Sequence, residues 1–196
     1  MALSALSDEL MRAEGMMMQD QNEEALELLL RLAEDAEEYV DCNCQTTDEV
    51  QYFAFPTLFD RLAYRRVEND PRKLEDVHEP FDRLYGDLAM AYVRTGDYEN
   101  AMNALKTAIR WNPMNCGFRL DLADLFKIAG DIREHIALTF GVFERASEAR
   151  HLTRAFLNFA AWFEAQGRLE QAAACLRAAR RFEVKDSALE AALDQA

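Results

Sequence analysis

The sequence predicts an all-α fold built from antiparallel helix pairs, and three observations carry that expectation. Half of the 196 residues are hydrophobic, with only seven Gly and four Pro and few β-branched runs, a composition that favours helix almost throughout. No stretch reads as a convincing strand. From Asp82 onward apolar residues recur at helical spacing, and Ala89, Ala101 and Ala108 stand where two helices have to approach closely. Gly96, Gly130 and Gly167 follow at intervals of 34 and 37 residues. Each is placed to take the left-handed backbone conformation that closes a helix C-terminus. A chain of this length buries its core as one domain, or as one array in which each hairpin covers the next.

In chain order, Ser4 or Ser7 can cap a first helix running to about Met18, with Asp8 and Glu9 in the first turn, where the helix dipole favours anions. Met16-Met17-Met18 reads as the irregular end of a buried helix, or as a pliable binding patch. Gln19 to Asn22 makes a turn, and a second helix from about Glu23 to Val40 carries Ala25, Leu26, Leu29, Leu30, Leu32 and Ala33 on one broad face. Residues 41–80 break the pattern. A polar loop leads to a segment dense in aromatics, for which Thr47 or Asp48 is the expected cap. Val50, Phe53, Leu58, Phe59, Leu62 and Tyr64 predict one mixed apolar face on an extra helix kinked or restarted at Pro56. Pro71 and Pro80 each suit the first turn of a following helix.

From Pro80 the reading is regular. One helix runs to about Arg94, and a second runs from the cap Asp97 to Trp111, stopped by Asn112-Pro113. The next pair starts near Cys116 and repeats the pattern at Leu122, Ala123, Phe126 and Gly130, with His135 where a small residue is wanted. The third pair restores it with Phe159, Ala160, Phe163, Gly167, Ala172, Leu176 and Ala179. The 37-residue spacing adds about one helical turn to the second helix of the middle pair or to the turn after it. Ser187-x-x-Glu190 predicts a capping box opening a short last helix.

Leu88 and Ala89, Tyr92, Gly96, Tyr98, Ala101, Leu105, Ala108 and Pro113, with the 34-residue period, resemble a tetratricopeptide repeat (TPR). The resemblance implies a right-handed helical solenoid of antiparallel helix pairs: a degenerate hairpin at 1–40, a loop and extra helix at 41–80, three TPR-like repeats at 81–185 and a capping helix at 186–196. It also implies a non-catalytic protein-interaction scaffold or adaptor that holds a protein or peptide in the concave groove lined by the first helix of each pair. The positions so implied are Arg83, Met90 and Arg94, then Leu120, Asp124 and Lys127, then Arg154, Leu157, Asn158, Ala161 and Glu164. At the positions where some TPR proteins clamp a C-terminal carboxylate, this chain has Gly86, Met90, Asp121, Arg154 and Asn158. Only Arg154 suits that ligand and Asp121 would repel it, so no such clamp is expected. The alternative implied by resemblance is a chaperone for a secreted client, a class that includes small, acidic, three-repeat TPR proteins.

Charge narrows the partner. The net charge of −14 is uneven: residues 1–60 hold 15 acidic and two basic side chains, whereas residues 144–185 hold eight basic and five acidic ones. That balance argues against nucleic-acid or anionic-membrane binding, both of which need a cationic face. No apolar run approaches the roughly 20 residues of a membrane span, and the N-terminal segment turns acidic too early for a signal peptide, so a cytoplasmic location is expected. Cys42, Cys44, Cys116 and Cys175 are too few and scattered for a disulfide framework, and Cys42-x-Cys44 has no second ligand pair, so no metal or cofactor is expected. His78, His135 and His151 sit in no catalytic motif, and the chain reads as a non-enzyme. Self-association through the aromatic segment or an uncovered end is a further expectation.

Overall fold

The computed structural model describes residues 5–182, 184 and 186–195, and among these it holds ten helices and two short strands. The chain falls into two compact units, 1–114 and 115–196.

In the first unit, α1 (Ala5–Met18) and α2 (Asn22–Asn43) form a hairpin around Leu10, Ala13, Met17, Ala25, Leu28, Leu29 and Ala33. Its turn lacks a glycine, and Asp20 takes the left-handed conformation instead, at φ 60°. Ser7 lies inside α1 and is not its cap; Ser4 lies outside the described residues. Of the methionine run, Met17 is buried and Met18 is exposed.

Residues 50–76 correct the reading of one kinked helix. Val50–Phe53 is a strand, β1, followed by the helix α3 (Leu58–Glu68) and the strand β2 (Lys73–Asp76), which pairs with β1 in parallel, Val50 opposite Lys73. Thr57 caps α3 by accepting from the Asp60 N–H, whereas Thr47 accepts from Glu49 and Val50 in the turn that opens β1. Pro56 precedes the cap, so it kinks nothing, and Pro71 leads into a strand. Four β-residues with aromatic and β-branched side chains suit a pleated ladder, but their partner strand lies more than 20 residues away. Phe53, Phe55, Tyr64, Leu74 and Met114 form the core of this β–α–β element, with Ala63 and Val67 against it.

Helix α4 (Phe81–Thr95) and α5 (Tyr98–Trp111) make the most regular hairpin. Gly96 closes α4 at φ 85° with its N–H on Val93, and Asp97 caps α5 by accepting from Asn100. α2 and α1 pack on α4, and the buried Trp111 offers its carbonyl to the Ala54 N–H, which joins the β–α–β element to the end of α5.

In the second unit, α6 (Cys116–Ile128), capped by Asn115, pairs with α7 (Ile132–Gly141), and α8 (Ala149–Ala165) pairs with α9 (Leu169–Ala179). Gly130 and Gly167 close α6 and α8 at φ 83° and 71°. The extra residues of the longer repeat fall in the turns after α7, which at 10 residues is shorter than α5. His135 is buried, its Nδ1 2.8 Å from the Ala123 carbonyl, so a hydrogen bond across the pair replaces the close contact a small residue would make. α10 (Ser187–Gln195) packs on α8, and Asp186, one residue ahead of the expected cap, accepts from Ala188 and Leu189.

Candidate protein-binding surfaces

The expected groove residues separate into structural ones and available ones. On α4, Arg83 donates to Glu14 of α1 at 2.6 and 2.8 Å, and Arg94 donates to the Met17 carbonyl at 2.9 Å with Asp20 3.7 Å away. These two arginines tie α1 to α4. Met90 between them is exposed. Asp87, also on this seam, is mostly buried beside Glu14 and Arg83. Burial, with the Glu14 charge added, pushes its carboxyl up to about 7.

In the second unit Leu120 is fully buried and belongs to a core with Cys116, Val142 and Ala155, so it cannot meet a ligand. Arg154 spans from α8 to α6 and meets Asp121 at 2.7 Å and Asp124 at 2.6 Å. Its charge is met inside the fold, as is that of Asp124. A ligand carboxylate would have to displace two that are already held. Lys127 is exposed at the end of α6.

Leu157, Asn158, Ala161 and Glu164 converge. They line one wall of a cleft of about 430 Å³, with Leu169, Ala172 and Leu176 of α9 opposite and Ala192 of α10 at one end. Leu169 is 66 % exposed on its rim. Small residues on both helices open the space, and the lining pairs an apolar floor with one amide and one carboxylate. That mix suits an apolar anchor flanked by polar contacts.

Two features escaped the sequence reading. The first is the outer face of α3, where Leu58, Phe59 and Leu62 point away from the core that holds Phe53 and Tyr64, which corrects the single apolar face expected for all of them. The signal was present in the spacing: 58, 59 and 62 share one side of a helix, and 63, 64 and 67 the other. The second is the network Tyr64–Asp70–Arg72–Gln51, which no local pattern announces. Arg72 donates to Asp70 at 2.7 Å and to Gln51 at 2.8 Å, and the Tyr64 hydroxyl donates to Asp70 at 2.9 Å. The Arg72 hydrogen bonds hold the Asp70 carboxyl well below the usual range, while burial and Asp70 push the Tyr64 phenol up to about 12.

Among the described residues all four cysteines are free thiols. Cys42 is exposed and Cys44 buried, and no group of three metal-ligating side chains converges among those residues. His151 is half-buried, and burial lowers its pKa. Among the described residues no helix is long and apolar enough to cross a membrane.

Residues 82–115 match the family model described as tetratricopeptide repeat. No curated protein matches the chain. A solved structure of MamA is 14 % identical, with 92 % of this chain and 95 % of that one covered and a TM-score of 0.46. A second MamA structure is 17 % identical over 95 % and 96 %, TM-score 0.41. A thermophilic TPR protein from Thermus thermophilus is 18 % identical over 97 % and 98 %, TM-score 0.47.

Proposed function

We propose that this chain, a tetratricopeptide-repeat protein by the match over residues 82–115, is a non-catalytic adaptor that holds a segment of another protein in the cleft between α8 and α9. TPR proteins are in general protein-interaction scaffolds, and that much is the premise. The observation that carries the finer reading is the cleft itself: Leu157, Asn158 and Glu164 meet Leu169 and Leu176 there, while Arg83, Arg94, Leu120 and Arg154 are committed to the fold. A preformed cleft reduces the ordering cost of association. An apolar anchor with a donor for Glu164 is the chemistry it favours; the Asn158 amide donates to the Thr139 hydroxyl at 3.4 Å, which leaves its carbonyl to accept from a backbone N–H.

The test is affinity capture from the source cell with wild type beside Ala161→Glu/Leu169→Glu. Both positions are exposed, so the variant should keep its helicity and melting temperature. A protein retained by wild type and lost in the variant supports the reading. The same proteins in both captures would remove it. A retained folded complex member marks an adaptor, and a retained unfolded export client marks the chaperone alternative.

A further inference from the structure

Helix α3 has two apolar faces and a seat for only one. Its inner side, Ala63, Tyr64 and Val67, packs on the strands. Its outer side carries Leu58, Phe59 and Leu62 at 70 %, 62 % and 60 % exposure, and Arg65 and Arg66 are exposed there too. At 100° per residue these five side chains fall within about one third of the helix circumference. Three large apolar side chains clustered in water are the mark of a contact surface rather than of scattered exposure.

The same unit holds the complement. A cleft of about 300 Å³ opens between the start of α1, the end of α2 and the start of α4, with Leu6, Leu32 and Phe81 on its floor and Glu9, Asp35 and Glu79 around them. Glu79 Oε2 is buried and has no hydrogen-bond partner among the described residues. That oxygen is enclosed, whereas Glu9 and Asp35 keep carboxylates at the cleft's surface, and a guanidinium offers donors in the fork that matches them.

We infer that α3 of a second copy of this chain docks in this cleft, setting Leu58, Phe59 and Leu62 on the floor and Arg65 and Arg66 against Glu9 and Asp35. Charge selects the occupant. Residues 1–60 hold 15 acidic side chains and two basic ones, so the cleft favours a basic apolar helix, and α3 presents one. The two surfaces differ, so each contact is heterologous; a two-fold axis would close it as a reciprocal pair. The small patch makes the association weak and concentration-dependent. No residue of the α8–α9 cleft takes part in this contact.

Analytical ultracentrifugation of the full chain tests it. The weight-average mass should rise above 22.5 kDa over about a hundredfold range of concentration and fall back near 1 M salt, where charges are screened beyond about 3 Å. Two variants, Arg65→Glu/Arg66→Glu and Glu9→Lys/Asp35→Lys, should each stay monomeric while keeping wild-type circular dichroism. Mixed in equal amounts they should associate again, since each then meets the opposite charge on the other. A wild type that stays at the monomer mass, variants that associate like wild type, or a mixture that remains monomeric would each overturn the docking.

Discussion

Asp87 has a buried carboxyl that is charged at a cost. Its pKa is raised from 3.8 to about 7 by burial and by Glu14, so the folded state binds the proton more tightly than the unfolded chain does. Its contribution to stability is full below pH 4 and is lost as pH rises through about 7. Asp87→Asn should therefore stabilise the protein at pH 8 by about 1–2 kcal/mol and leave it nearly unchanged at pH 4, read from urea unfolding at the two pH values. A stabilisation that is the same at both would show that the proton is not involved. His135 gives the second residue-scale test. His135→Ala removes the hydrogen bond to the Ala123 carbonyl and opens a void in the α6–α7 pair, and should cost about 2–4 kcal/mol in the same assay. A small residue here, which the TPR pattern prefers, would leave the Ala123 carbonyl without this partner.

At the scale of elements, the β–α–β insertion hangs on Asp70. Its carboxylate receives Arg72 and Tyr64 and so joins the end of α3 to the start of β2. Asp70→Ala should lower stability by about 2 kcal/mol, and hydrogen exchange should quicken first at Lys73 and Val77, whose N–H groups hold the ladder edges, before the α4–α5 amides respond. Equal quickening everywhere would place the network in the global core instead. The hairpins were legible because their determinants are local: an N-cap, a 3.6-residue repeat and a glycine that alone accepts φ near 80° without strain. The insertion was not. A four-residue strand has no period long enough to read, and its parallel partner begins 23 residues later, so Val50–Phe53 carried a helical reading that only long-range pairing could displace.

For the whole molecule, the charge of −14 keeps like surfaces apart at neutral pH, and the sequence pI of about 4.6 sets where that protection ends. Turbidity should peak near pH 4.6 and clear by about pH 6, as the loss of net repulsion lets copies clump beyond the salt-sensitive α3 contact, with exposed apolar residues such as Leu62 adding to it. Leu62→Glu should narrow that peak, and an unchanged peak would exclude the face. The sequence alone determined the helix pairs, their glycine turns, the 34-residue period and the sign of the surface, since all of these follow from neighbours within a few turns or from a sum over the chain. Spacing alone also put Arg154, Leu157, Asn158 and Ala161 on one face of α8, since that follows from the helical repeat. Tertiary structure decided which of the named residues are free. Arg83, Arg94 and Arg154 read as binding groups, yet they meet acceptors 69, 77 and 30 residues away. A charge that looks available along the chain is spoken for once folding brings its partner within about 3 Å, and no local pattern records that distance.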